Sequence, residues 1–151
     1  MTIRAFAVFA VALCVAGGGV VASAQQTRRY IEPRTPADAT LPPFSGAVQI
    51  GDTLYLSGDI GIDANQKVPD TAEAEARAVL TSIQNTLAKA GMTMDDLVFV
   101  QVFCSDVSHY AAFNSVYRTF FKKEFPARAF IGSGPLLFGA RFEVQGIAVK
   151  R

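Results

Sequence analysis

One arginine stands out for the chemistry it could do. Arg128 lies in Phe125-Pro126-Ala127-Arg128-Ala129-Phe130-Ile131-Gly132, a strand-like run of apolar residues. A charge in such company is costly unless it has a partner. Arg128 is therefore either one half of a structural ion pair or the anion-binding group of a site. The C-terminal run from Arg141 to Val149 also reads as a strand. Alternate strand residues share a face, which groups Arg128 with Phe130 and Gly132, and Glu143 with Gln145, Ile147 and Val149. If the two strands are neighbours, Arg128 faces Glu143 or Gln145. Two readings stay open: an Arg128–Glu143 ion pair, or a guanidinium whose bidentate fork is kept for a ligand carboxylate. The ion pair is the commoner use of such an arginine.

Other chemistries find little support. His109 is the single histidine, Cys104 lies five residues before it, and no second ligand pair exists, so no metal site is indicated. His109 reads as a solvated residue at a helix start. No serine elbow accompanies it for a nucleophilic triad. No G-x-G-x-x-G follows a strand, and no cofactor is implied. Cys104 reads as a small buried apolar group, because a reactive thiolate needs a basic neighbour.

The elements that must position Arg128 follow from periodicity. Ser45 to Ile50 and Thr53 to Ser57 are β-prone and joined by Gly51-Asp52, a two-residue hairpin signal. Gly58, Gly61 and Asp63-Ala64-Asn65 mark loop beyond the second strand. Asp70 to Ala90 is helical, with Ala72, Ala76, Val79, Leu80, Ile83 and Leu87 on one face. Asp70 with Glu73 fits a capping box, Thr71 is the alternative cap, and Gly91 stops the helix. Leu97 to Cys104 is strand, apolar on both faces apart from Gln101. Ser108 would cap a second helix over about His109 to Lys123, buried through Tyr110, Phe113, Tyr117, Phe120 and Phe121. Pro126 prevents its continuation. Arg128 to Ser133 and Phe142 to Val149 are strands around an apolar loop at 134–140. The result is one α+β domain, a mixed β-sheet with two helices on one face. A sheet whose other face is left apolar predicts self-association.

The chain has 151 residues, of which 50% are hydrophobic and 18% charged, enough for a core and too little charge for disorder. Residues 1–24 resemble a secretory signal peptide: Arg4, the apolar stretch Ala5 to Val21, then Ala22-Ser23-Ala24 as a cleavage site. An uncleaved anchor is the rival reading. Residues 25–42 carry Pro33, Pro36 and Pro42 and read as an N-terminal arm with at most one short strand near Arg29–Ile31; residues 43–151 form the domain. Without Arg4 the basic and acidic residues balance at 13 each. Zero net charge gives no long-range pull on nucleic acid or membrane, so neither is expected as a partner once the leader is gone. Periplasmic or secreted location follows from cleavage.

From about Pro43 to Lys150 the chain resembles the Rid/YjgF family of enamine/imine deaminases. The resemblance rests on Pro43-Phe44-Ser45-Gly46-Ala47-Val48, Leu54-Tyr55-Leu56-Ser57-Gly58-Asp59-Ile60, Leu87-Ala88-Lys89-Ala90-Gly91, Phe113-Asn114-Ser115-Val116-Tyr117, Phe125-Pro126-Ala127-Arg128 and Glu143-Val144-Gln145-Gly146-Ile147-Ala148-Val149. It implies a chorismate-mutase-like fold in a homotrimer, with sheets facing inward and sites in the clefts between subunits. It implies that Arg128 binds the substrate carboxylate, that Ser57 and Asn114 line the pocket, and that backbone near Phe130 helps hold substrate or water. Three positions depart from the deaminating members. Their tyrosine is Phe44 here, their cysteine is Phe130, and their water-activating glutamate is Gln145. A glutamine can position water but cannot accept a proton near neutral pH. Glu143 lies about 6.6 Å along the strand from it, too far to substitute directly. Two functions follow: hydrolysis of small enamines or imines to ketone and ammonia, weakened at Gln145, or a non-catalytic exported trimer that binds small carboxylates. A ribonuclease role, sometimes attached to relatives, does not fit a neutral chain without a basic-aromatic stripe.

Overall fold

The structure is a computed structural model that describes residues 27–63, 65 and 67–151. The expected signal peptide, residues 1–24, lies outside the described residues, as does Ala64 of the loop that follows the second strand of the hairpin.

Six strands form one mixed sheet: β1 (Arg28–Ile31), β2 (Ala47–Ile50), β3 (Thr53–Ile60), β4 (Leu97–Cys104), β5 (Ala127–Gly132) and β6 (Phe142–Val149). Helix α1 (Ala72–Lys89) joins β3 to β4, and α2 (Tyr110–Tyr117) joins β4 to β5. The spatial order is β1-β2-β3-β6-β4-β5. Only β4 and β5 run parallel, as a connection through a helix requires. The last strand thus inserts into the middle of the sheet, between β3 and β4. β5 and β6 are therefore not neighbours, contrary to the arrangement that would have set Arg128 opposite Glu143.

The β2–β3 hairpin turns at Gly51 and Asp52 as expected, with Gly51 at φ 57°, a left-handed value that glycine adopts without strain. β3 runs past Ser57 to Ile60, so Gly58 is not loop; it lies where the β3–β6 register shifts. Thr71, not Asp70, caps α1 by accepting from the Ala74 amide at 3.2 Å. α2 stops at Tyr117 and gives way to a single 3-10 turn, short of Lys123. Its expected Ser108 cap is replaced by Asp106, which accepts from the Ser108 amide at 2.8 Å and opens a short turn ahead of the helix. The short strand expected near Arg29 is the outer strand of the sheet. It is tied to the end of α1 by Arg29 Nη2 donating to the Lys89 carbonyl at 3.0 Å and by the Lys89–Glu32 ion pair.

Both helices pack on one sheet face. Ala76, Val79, Leu80, Ile83 and Leu87 of α1 and Phe113, Val116 and Tyr117 of α2 join Leu54, Val100, Val102, Cys104, Phe142 and Val144 in a single core. Burying each of these large side chains stabilises the fold by about 1.5–3 kcal/mol. The other face carries a row of cross-strand partners, Tyr30, Val48, Tyr55, Ile147 and Phe99. Tyr30 and Tyr55 are both 49% exposed, so this row is apolar and uncovered by the described residues.

Candidate active site

Arg128 sits on β5, the outer strand at one end of the sheet, level with Val100 of β4. Val100 is buried under the helices, so Arg128 projects to the helix side. There its guanidinium carbon lies 4.6 Å from the centre of the Tyr117 ring, 5.7 Å from Phe130, 5.9 Å from Tyr110 and 6.0 Å from Phe113. Cation–π attraction stabilises a guanidinium in such a box. It does not satisfy the N–H groups. Arg128 Nη1 and Tyr117 Oη are both buried without a hydrogen-bond partner. Burial pushes the Tyr117 hydroxyl up to about 12, with the Arg128 charge working the other way. Tyr117 is therefore a neutral donor at any ordinary pH.

The expected Arg128–Glu143 ion pair does not form. Among the described residues the ion pairs are Lys89–Glu32 and Arg141–Glu75. Strand order is the cause: β4 separates the two residues, and Glu143 points to the opposite face, where it lies against Gly58. Among the described residues no carboxylate forms an ion pair with the guanidinium.

The other named residues divide into two groups. Phe130 shares the Arg128 face, two residues along β5, and packs against the core. Asn114 lies one helical turn from Tyr110 and Tyr117 on α2, on the side that carries the aromatic box. Gln145 lies on the open face. Its Nε2 donates to Gln101 Oε1 at 2.9 Å across the β4–β6 register. Ser57 is near the β3 irregularity, its hydroxyl donating to the Ser45 carbonyl at 2.7 Å. Phe44, at the start of the same segment, is 52% exposed. The named residues therefore lie on opposite faces of the sheet, Arg128, Asn114 and Phe130 on the helix side and Gln145 on the open side.

Gln101, Tyr117 and Tyr110 were not assigned to the site from sequence. Gln101 had a visible signal, since it is the one polar residue within an otherwise apolar strand. The tyrosines had none, because their helical spacing is also that of a core stripe; Tyr110 proves half exposed rather than buried. Cys104 is buried and free, its thiol pushed up by burial and donating to the Asp106 carbonyl at 3.0 Å. No group of three or more metal-ligating side chains occurs among the described residues.

The family model described as Endoribonuclease L-PSP matches residues 35–150. The chain belongs to that family, the Rid/YjgF proteins. A 2-iminobutanoate/2-iminopropanoate deaminase of Capra hircus is 37% identical over 116 residues, covering 76% of this chain and 85% of the relative. The crystal structure of RidA from Psychrobacter sp. PAMC 21119 superposes with a TM-score of 0.69 at 29% identity, covering 72% of this chain and 89% of that one. Escherichia coli TdcF, solved with bound serine, gives a TM-score of 0.70 at 25% identity, covering 74% and 91%. The RidA-like α+β fold is thus shown, and curated Rid/YjgF relatives are imine deaminases. In this fold the F-P-A-R segment leads into the edge strand β5, which begins at Ala127 and carries Arg128.

Proposed function

We propose that this Rid/YjgF chain hydrolyses small 2-imino acids and their enamine tautomers, in sites each built from two copies of the chain. The observation that carries the reading is the Arg128 guanidinium, held among aromatic rings with a buried Nη1 and no carboxylate partner among the described residues. A substrate carboxylate supplies that partner, in a charge-assisted hydrogen bond about twice as strong as a neutral one. Serine bound to TdcF is a ligand of the same chemistry.

The reaction asks little of the protein. Water adds through oxygen to the iminium carbon, and the C=N π pair moves to nitrogen. The carbinolamine then loses nitrogen as the C–O double bond forms. Both water protons end on nitrogen, so iminium plus water gives ketone plus ammonium. The substrate's own nitrogen collects the protons, so positioning alone can accelerate the step. The amide of Gln145, anchored through its Nε2 by Gln101, keeps its Oε1 as an acceptor that orients water.

Arg128 and Gln145 cannot serve one substrate within one chain, because the sheet stands between them. A site that uses both takes them from different copies. The apolar row on the open face supports such an assembly, and we propose the homotrimer that the family resemblance implies. The leader-like residues 1–24 support export and cleavage near Ala24.

The test is direct. An amino-acid oxidase generates the imine in situ, and keto-acid release is followed with and without the protein. Acceleration, lost in Arg128→Ala, supports the proposal. No acceleration contradicts it. That result favours the second reading, an exported trimer that binds small carboxylates, for which the observation is an amide where the deaminating relatives resembled here carry a proton-accepting carboxylate.

A further inference from the structure

The surroundings of Arg128 hold more aromatic surface than a methyl or ethyl side chain can use. Tyr110 meets Phe130 edge-on at 5.0 Å, Phe130 meets Phe113 at 5.6 Å, Phe113 stacks on Tyr117 at 5.7 Å, and Tyr117 lies 6.1 Å from Phe125. The guanidinium sits beside the middle of this belt. Inside the belt Phe113 and Tyr117 are buried and Phe130 is partly buried, whereas its two ends are exposed: Tyr110 by 50% and Phe125 by 52%. A single exposed ring is ordinary on a protein surface. Two at the ends of one belt, beside a cation with an unsatisfied buried N–H, have the composition of a ligand site: apolar walls and one polar group that fixes orientation.

We propose that this rim reads the substrate side chain, so that the site takes 2-imino acids with aromatic or other bulky apolar side chains in preference to 2-iminopropanoate. The inference rests on the imine-hydrolase reading of the same site. A carboxylate held by Arg128 has its α-substituent beside rings whose centres lie about 5–6 Å from the guanidinium carbon. A methyl group covers little of that surface. A benzyl group beside Arg128 meets Tyr110, 5.9 Å from the guanidinium carbon, or the end of the belt where Phe125 lies against Tyr117, and gains ring contact together with area burial, which corresponds to about tenfold or more in kcat/KM.

The experiment compares imines made in situ from alanine and from phenylalanine. The expected result is a kcat/KM about tenfold higher for the phenylalanine-derived imine. Tyr110→Ala and Phe125→Ala should each lose several times more activity on the aromatic substrate than on the small one, while Tyr110→Phe keeps the preference. Thermal melts of the variants separate this from unfolding. Equal rates, a preference for the small imine, or a preference that survives both alanine variants overturns the inference. If neither imine is hydrolysed faster than in buffer, the hydrolase reading fails instead. Calorimetry then decides the inference: phenylpyruvate binding more tightly than pyruvate, and weakened in Tyr110→Ala, sustains it, whereas equal affinity overturns it.

Discussion

Arg128 and Asp59 show how differently two charges can be placed near the same core. Arg128 lies among aromatic rings, with its Nη1 buried and without a hydrogen-bond partner. Asp59 of β3 is drawn toward α1, where burial raises its carboxyl above the ordinary 3.8, against a hydrogen bond from Ser82. A raised folded-state value means that the folded protein holds the proton more tightly than the unfolded chain. The stabilising contribution is present below the unfolded value and is lost as pH rises through the folded one. At neutral pH the ionised Asp59 therefore works against folding. Asp59→Asn is expected to raise the melting temperature at pH 7, and the gap to the native protein should close as pH falls toward 4. A gap that stays constant would show that burial of the charge is not the cause. Arg128 was legible as a residue needing a partner, because charge within an apolar strand is a strong local signal. Its partner was not legible, because only tertiary structure reveals that none of the described carboxylates pairs with it.

At the scale of elements, β4 and β6 follow their sequence signals to the residue, since runs of valine and phenylalanine between polar breaks leave little choice. The position of β6 was hidden. Insertion of the last strand between β3 and β4 is a long-range choice that no local spacing records, and it moved Gln145 to the face opposite Arg128. The join that holds this insertion is Glu75. It is completely buried on α1 and accepts from the Arg141 amide at 2.6 Å, the Phe142 amide at 3.0 Å and Arg141 Nη1 at 2.8 Å. Arg141 also donates to the carbonyls of Pro69 and Asp70. One carboxylate thus fixes the start of β6 to the first turns of α1. Removing one partner of a buried ion pair costs about 3–5 kcal/mol, because the other is left uncompensated. Glu75→Ala should lower the unfolding free energy by that amount in urea titration; a loss below 1 kcal/mol would show that the network is not what anchors the strand.

For the whole molecule, the open face is the surface on which the proposed assembly rests. Tyr30, Val48, Tyr55, Ile147 and Phe99 cross five strands in one row, a surface that another copy of the chain can bury. Tyr55 lies at its middle and is half exposed in the single chain, so Tyr55→Glu should leave the fold intact while setting a charge in each contact. If the native chain forms the proposed trimer, light scattering coupled to size exclusion should then report monomers for the variant; an unchanged mass would remove this face from the interface. The sequence could suggest association, since one apolar sheet face was visible in the pattern, but not which residues meet across it.

In the proposed site Arg128 and Gln145 act on one substrate from two different chains, and co-expression of two defective chains tests this sharing. Arg128→Ala and Gln145→Ala are each expected to be inactive alone. In randomly mixed assemblies, a site between one intact arginine and one intact glutamine recurs in about a quarter of positions, so mixing should restore about that fraction of native activity. Mixed assemblies that stay as inactive as either parent, with their composition confirmed by mass spectrometry, would contradict a site shared between chains.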